Sequence, residues 1–240
     1  MILVLCEEYD LAATWAAERL RERGLAITVV TGAALAAARW EHRVGRAGAR
    51  LEFRLAGGER ICSGEIGGVL NRLCFLPSAW LQRIGGPDRD YAVQEMLALY
   101  LSWLHAMTGP VLNPASPQGL CGNWRHPSVW AVLAGRSGLP TSPYRQTSAD
   151  DPDLYWQGAG APAPATAFVA GSRALLPPDL PAPLRAACLR LARQAGTPLL
   201  GIDFSPAADG TWRFTGASVM PNLVRGGEKL ADDLAEALAA

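Results

Sequence analysis

A single acidic residue stands in the C-terminal strand pair, where a set of oxygen ligands could hold a metal ion. The segment LLGIDFSPAADGTWRFTGASVMPNL, residues 199–223, predicts two strands joined by a turn and followed by a Pro-Asn loop. Asp203 lies in the first strand, whereas the second strand, 211–219, contains no acid. Mg²⁺ in proteins usually takes one or two carboxylates together with substrate phosphates. Asp203 is therefore a candidate for a weak metal site, and the alternative is that it caps a turn or pairs with an arginine.

Asn71 and Arg72 end the apolar run GGVLNRLCF, which predicts an inner strand of an α/β sheet. Ligands of such sheets bind at the carboxyl ends of the strands, so both side chains are candidate ligand-binding residues. The alternative for Arg72 is a buried ion pair with an acid such as Glu95. Both interpretations stay open.

Arg125 and His126 stand between two tryptophans in NWRHPSVW, at the predicted start of a helix. A cation flanked by indole rings can hold an anionic or aromatic ligand, which makes both residues candidates for ligand binding. The alternative is a helix start that packs between two lobes. Of the other histidines, His105 is assigned a structural position on an apolar helix. His42 lies in RWEHRVGR, which is interpreted as a solvated basic loop.

The composition excludes several classes of function. The 240 residues are 50% hydrophobic and carry a formal net charge of zero, so the chain can bury a sizeable core but has no basic surplus for nucleic acid. The five cysteines include no C-x-x-C pair, and we expect buried reduced thiols of a cytoplasmic protein, not a zinc site or a disulfide framework. No apolar run reaches the length of about 18 residues that a membrane span needs. No G-x-S-x-G motif supports a hydrolase.

The order of predicted elements is that of an α/β protein. MILVLC predicts a strand, the next segment predicts a helix that ends at Gly24, and LAITVVTG predicts a second strand, which together form a βαβ unit with parallel strands. Hairpins are predicted around residues 57–58 and 171–172, and a long helix over 88–109. The segment 148–164, rich in Asp, Pro, Gly and Ala, predicts a linker or mobile loop.

Several of these segments resemble the ATP-grasp superfamily, in particular the ribosomal-peptide-modifying and RimK-like peptide ligases. GGVLNRLCFLP is similar to the strand of their pre-ATP-grasp domain that ends in an arginine near the active site, here Arg72. PSVWAVLAGRSGLPTSPY resembles the helix and loop that enter the grasp domain, and residues 199–223 resemble the paired metal-site strands. The loop at Pro221 approaches substrate in the family. The resemblance therefore makes Arg225 a candidate ligand for a carboxylate or phosphate, with a plain surface arginine as the alternative.

The sequence departs from the family at the metal ligands. In the family the second strand ends with a glutamate, one intervening residue and an asparagine, which hold magnesium together with the aspartate of the first strand. Counted back from Pro221, these positions hold Gly216 and Ser218. Asp203 is then the one ligand that the resemblance leaves, and its site is weak.

The phosphate ligands of the family are also missing. Its ligases bind nucleotide phosphates with lysines, but Lys229 is the only lysine of this chain, and none stands near Arg125. The stretch between Tyr144 and Ala165 is too short for the small ATP-binding subdomain. The predicted fold is therefore α/β, with a pre-ATP-grasp-like parallel α/β lobe (1–114), a linking helix (115–148) and a truncated ATP-grasp-like α+β lobe (149–240).

From these observations we expect a catalytically degenerate ATP-grasp-like protein without ligase activity and without a cofactor. It would act in the cytoplasm as a binding or scaffold subunit of a biosynthetic, peptide-modifying pathway. Its partner would be a protein, a peptide or a second copy of the chain, and not nucleic acid or a membrane. The alternative is an ATP-dependent carboxylate–amine (peptide) ligase that uses ATP and Mg²⁺, with arginines or a partner chain at the phosphates. A homodimeric small-molecule binder is a third possibility.

Overall fold

The computed structural model describes residues 1–46, 48–77, 84–142 and 165–240. The predicted linker at 148–164 lies outside these residues. None of the helices in the described ranges is both long enough and apolar enough to cross a membrane. The elements occur in the chain order β1 (Ile2–Cys6), α1 (Leu11–Glu22), β2 (Ile27–Thr31), α2 (Gly32–Ala37), β3 (Arg39–Gly45), β4 (Gly48–Arg54), β5 (Arg60–Cys62), β6 (Gly68–Asn71), α3 (Pro87–His105), β7 (Val111–Leu112), α4 (Pro127–Arg136), β8 (Ala165–Ala170), β9 (Arg173–Leu175), α5 (Leu184–Ala195), β10 (Leu199–Pro206), β11 (Trp212–Ser218) and α6 (Gly227–Ala239).

The chain divides into two compact units. Unit 1 comprises Met1–Trp124 and Asn222–Ala240, and unit 2 comprises Arg125–Pro221. This division differs from the predicted segment 149–240, because the C-terminal helix α6 packs against α1 and β6 and so belongs to unit 1.

Hydrogen bonds from Arg23 and a close approach to strand β6 hold α6 in unit 1. Arg23, which follows α1, donates hydrogen bonds to the carboxylates of Glu228 at 2.9 Å and Asp232 at 2.7 Å. On the other side, a Cβ atom at Gly68 would lie 2.7 Å from the carbonyl oxygen of Leu238. Strand β6 and helix α6 can approach this closely because residue 68 has no side chain.

The parallel sheet of unit 1 has the strand order β2-β1-β6-β7. The predicted βαβ unit is confirmed, since β1 pairs in parallel with β2 on one side and with β6 on the other. All five residues of β1 are buried, as the apolar run predicts for an inner strand. The sheet continues from β1 in both directions, so its topological switch point lies at the carboxyl ends of β1 and β6, where ligands of such sheets bind.

An antiparallel sheet of three strands, in the order β3-β4-β5, completes unit 1. The hairpin predicted around residues 57–58 is confirmed as β4–β5. The interpretation of RWEHRVGR as a solvated loop is wrong, because these residues form the edge strand β3 and pair antiparallel with β4. Most β3 side chains are exposed, so the charged composition hid a strand that is held by its backbone ladder. His42 in β3 shares a hydrogen bond of 3.1 Å with the hydroxyl of Ser102 on α3.

Aromatic side chains join the two layers of unit 1. The ring of Phe53 on β4 meets the indole of Trp103 on α3 edge-on, with centroids 4.7 Å apart, and Tyr100 lies beside both. All three are fully buried, and by volume they are the three largest fully buried side chains of the described residues. The predicted long helix is therefore confirmed as α3, with its apolar face on the sheet.

Unit 2 is an antiparallel sheet in the order β11-β10-β8-β9, packed against α4 and α5. Both predicted hairpins, β8–β9 and β10–β11, are confirmed. Helix α5 buries Cys188 and Leu191 on one face and ends at Gly196, whose φ of 59° is the left-handed conformation typical of a helix end. The fold thus combines a parallel α/β unit with a smaller α+β unit, as predicted.

Candidate functional site

The strand pair β10–β11 places Asp203 directly opposite Gly216. Ser218 lies opposite Gly201, two residues further along the same ladder. The resemblance implies a glutamate and an asparagine at these two positions, counted back from Pro221 in the sequence. The register of the strand pair places both positions beside Asp203. A Cβ atom built on Gly216 has no atom of the described residues within 4 Å, so among these residues a side chain at this position would meet open space.

The carboxylate of Asp203 is engaged with the neighbouring strand. It is half-buried, and its Oδ1 atom accepts a hydrogen bond of 2.7 Å from the hydroxyl of Thr166 on β8, the residue opposite it in the register. In the described part of the chain a threonine hydroxyl is therefore a partner of this carboxylate, and the alternative that Asp203 caps a turn or pairs with an arginine stays a prediction.

The oxygen atoms around Asp203 do not fit a magnesium ion held with a nucleotide. Gly216 offers no ligand, and the hydroxyl of Ser218 is a neutral oxygen that already accepts the backbone N–H of Met220 at 3.0 Å. Within residues 1–46, 48–77, 84–142 and 165–240, no group of three or more His, Cys, Asp and Glu side chains is placed to hold a metal ion. Mg²⁺ requires hard oxygen ligands in a near-octahedral set, and one carboxylate supplies a small part of it.

Arg125 lies at the start of α4 in unit 2. Its guanidinium carbon is 5.2 Å from the centroid of the Trp130 ring, which is a cation–π contact, and its Nη2 atom donates to the carbonyl of Ala195 at the end of α5, at 2.7 Å. Burial lowers the pKa of Arg125, although the group stays charged. The arginine therefore packs on one indole and satisfies a helix C-terminus, as expected for a structural helix start; ligand binding by this residue stays a prediction.

His126 is the N-cap of α4. Its Nδ1 atom accepts the backbone N–H of Ser128 at 3.3 Å and lies 2.8 Å from the Ser128 hydroxyl. Because a backbone N–H can only donate, Nδ1 carries no proton in this arrangement. The imidazole thus performs the capping role that a serine or aspartate usually has.

Arg72 lies just beyond β6 in unit 1 and forms an ion pair with Asp10. The Nε atom is 2.7 Å from Oδ2 and the Nη2 atom is 3.1 Å from Oδ1, so the pair is bidentate. Only 4% and 9% of the two side chains are exposed, which makes this a buried pair. The acid is Asp10 and not the predicted Glu95, and the same Asp10 carboxylate also caps α1 by accepting from Ala13 at 3.0 Å.

Asn71 is fully buried and uses its amide within unit 1. Both hydrogen bonds donated by Nδ2 go to backbone carbonyls, those of Asn113 at 2.9 Å and Leu120 at 2.6 Å. The Oδ1 atom accepts the backbone N–H of Leu73 at 3.2 Å. The side chain thereby joins three chain segments at the carboxyl end of the sheet, and a structural role accounts for its burial.

Two cysteines lie at the same edge of the sheet, and the sequence did not predict that they are close to each other. The sulfur atoms of Cys74 and Cys121 are 3.3 Å apart. Nearby, burial and the charge of Asp10 raise the pKa of Cys6 to about 11. No spacing signal could have found this pair, because its members are 47 residues apart in the chain.

Arg225 lies in a short 3-10 helix, Leu223–Gly226, that packs against α1 in unit 1. Its side chain is exposed. The structure thus places Asn71, Arg72 and Arg225 in unit 1, and Arg125, His126 and Asp203 in unit 2.

Solved structures reproduce this arrangement of elements. The macrocyclase MdnC from Microcystis aeruginosa MRC, bound with the precursor peptide MdnA, has a TM-score of 0.73 at 11% identity, over 99% of this chain and 99% of that chain. A RiPP-associated ATP-grasp ligase from Chryseobacterium gregarium, in complex with ADP and a leader and core peptide, has a TM-score of 0.71 at 10% identity, over 99% of this chain and 96% of that chain.

The chain has the ATP-grasp fold. A RimK domain ATP-grasp protein from Sphaerobacter thermophilus DSM 20745 is also similar, with a TM-score of 0.51 at 14% identity over the whole of both chains. No protein-family model matches the chain, and no curated protein matches it. At these identities the likeness establishes the ATP-grasp fold alone.

Proposed function

We propose that the protein is a peptide-binding component of a peptide-modifying biosynthetic pathway and that its ATP-grasp fold has no working magnesium–nucleotide site. The observation that carries this proposal is the register of Asp203 against Gly216. The position across from the carboxylate has open space and no side chain, so a second carboxylate is missing where it would complete a metal site.

The electrostatic demands of ligation support the same conclusion. An ATP-dependent ligase activates a carboxylate as an acyl phosphate, and cations or metal ions must offset the negative charge that gathers there. At positions 203, 216 and 218 of β10 and β11 the side chains supply one carboxylate and one neutral hydroxyl. Arg125 is already stacked on Trp130 and bonded to a helix C-terminus, so it is poorly placed to replace a phosphate-binding lysine.

Solved structures of the same fold support the proposed peptide partner. MdnC was solved with the precursor peptide MdnA, and the Chryseobacterium ligase was solved with a leader and core peptide. A protein that keeps this fold and loses its metal ligands can keep the peptide-binding function, since binding and catalysis depend on different residues.

The experiment uses a fluorescent synthetic copy of the precursor peptide encoded nearest to this gene, titrated with the full chain. We expect saturable binding that does not change when ATP and Mg²⁺ are added. Absence of saturable binding would contradict the proposal. Loss of one water from the peptide, seen by mass spectrometry with ATP and Mg²⁺ present, would establish the ligase alternative instead.

A further inference from the structure

Cys74 and Cys121 form a close pair of thiols in unit 1. Cys74 follows β6, two residues after Arg72, and Cys121 lies in the segment after β7. Their sulfur atoms are 3.3 Å apart, a hydrogen-bond contact between free thiols. A disulfide bond is about 2.05 Å long, so a movement of little more than 1 Å would join them.

The amide of Asn71 holds both cysteines in place. Its Oδ1 atom accepts from the backbone of Leu73, the residue before Cys74, and its Nδ2 atom donates to the backbone of Leu120, the residue before Cys121. One buried side chain thus fixes the two segments side by side. The two sulfur atoms are therefore close because the backbone segments that carry them are held together, and not only because of the side-chain rotamers.

The two thiols differ in access and in acidity. Cys74 is half-buried, whereas Cys121 is buried. The hydrogen bond from Cys121 lowers the pKa of Cys74, and the same contact together with burial raises the pKa of Cys121. The charge of Arg72 lowers both. Since the thiolate is the reacting form, Cys74 is suited to attack and Cys121 to react second.

We propose that Cys74 and Cys121 are a reversible dithiol–disulfide pair that reacts with low-molecular-weight disulfides. The Cys74 thiolate attacks one sulfur of the small disulfide, forms a mixed disulfide and releases one small thiolate. Cys121 then gives its proton to solvent, and its thiolate attacks the Cys74 sulfur and releases the second small thiolate. The two protein thiols are oxidised by two electrons, and the small disulfide is reduced to two thiols.

The product would connect the segment that carries Arg72 to the segment after β7. Both segments lie at the topological switch point of the parallel sheet, where ligands of such folds bind. In reducing compartments disulfides that form are usually transient and redox-sensing, which is the behaviour expected of this pair. The inference rests on contacts within unit 1 and is independent of the proposed function.

The test incubates the folded full chain with glutathione disulfide, removes the reagent, blocks the remaining thiols with N-ethylmaleimide in guanidinium so that buried thiols also react, and maps the peptides by mass spectrometry. We expect loss of two maleimide-reactive thiols out of the five and a linked peptide that contains Cys74 and Cys121. Dithiothreitol should restore both thiols. In the Cys121→Ser variant, glutathione should stay attached to Cys74.

Matched controls keep the result specific. Cys188→Ala removes a buried cysteine of unit 2 and should leave the linked peptide unchanged. Protein unfolded in guanidinium should give mixed pairings that include the other three cysteines. The proposal is overturned if the folded wild type yields only a glutathione adduct on Cys74, no oxidation at all, or a linked peptide with another cysteine.

Discussion

Asp203 on β10 stands opposite Gly216 on β11, so the strand ladder presents one carboxylate and, across from it, a hydrogen atom. The open space at Gly216 means that the missing side chain was not excluded by packing. The strand pair therefore has room for a second carboxylate opposite Asp203 but does not carry one.

The variant Gly216→Glu tests this relationship. We expect it to fold with nearly unchanged stability, because its Cβ meets no atom within 4 Å. It should bind Mn²⁺ at least about tenfold more tightly than the wild type, which is about 1.4 kcal/mol, because two facing carboxylates supply the ligands that one cannot. Calorimetric titration measures the change. Gly216→Gln has the same size without the charge, and equal affinities of the two variants would refute the interpretation.

The buried ion pair between Arg72 and Asp10 should be strongly coupled to stability. Asp10→Asn keeps an N-cap for α1 but removes the charge that faces the guanidinium, and breaking such a pair costs about 3–5 kcal/mol. Urea denaturation gives the difference in the free energy of unfolding. Asp209→Asn, at an exposed turn, is the matched control and should lower the free energy of unfolding far less than Asp10→Asn. If both variants lost a similar amount of unfolding free energy, the buried ion pair would not contribute more to stability than an exposed one.

Asn71→Ala should destabilise unit 1 by about 2–4 kcal/mol. The change leaves the buried carbonyls of Asn113 and Leu120 without their donor, and each unmade buried hydrogen bond costs about 1–3 kcal/mol. Denaturation in urea again measures the loss. Asn222→Ala is the control, since Asn222 is exposed and makes no capping hydrogen bond with its side chain. If Asn71 served only a ligand, its replacement would leave the free energy of unfolding of the free protein unchanged.

Alkaline pH should destabilise the protein through its buried thiols. Burial raises the pKa of Cys188 from 9.0 to about 12, so the folded state keeps a proton that the unfolded chain loses. The stabilisation that comes from the protonated Cys188 thiol is complete below the pKa of the unfolded chain. It is lost as the pH rises from that value to the pKa of the folded state. The free energy of unfolding should therefore fall from about pH 9 up to about pH 12. Cys188→Ala should show a shallower fall over the same range, and an identical slope in both proteins would contradict the assignment.

The local pattern of apolar and polar residues was enough to predict most elements of the fold. The apolar runs and the amphipathic helix between them predicted β1, α1 and β2, and the strand pair β10–β11 with its single acid was also predicted, whereas its register came from the structure. These features depend on neighbours in sequence. Strand β3 was missed because its side chains are charged and exposed, and a strand of that kind has no hydrophobic alternation.

The contacts of the candidate site were harder to predict because they join distant segments. Asp10 and Arg72 are 62 residues apart, and Cys74 and Cys121 are 47 residues apart. Their proximity follows from parallel strands that end at one edge of the sheet, and the partner at such an edge can come from any strand or helix start. Asn71 was predicted to bind a ligand, and no sequence pattern indicated that its amide would join three backbone segments.

The most direct test of the central claim is calorimetric titration of the full chain with ATP, with and without Mg²⁺. The arrangement of Asp203, Gly216 and Ser218 predicts no saturable binding that depends on magnesium. Saturable ATP binding that tightens when Mg²⁺ is added would contradict it and would favour the ATP-dependent ligase.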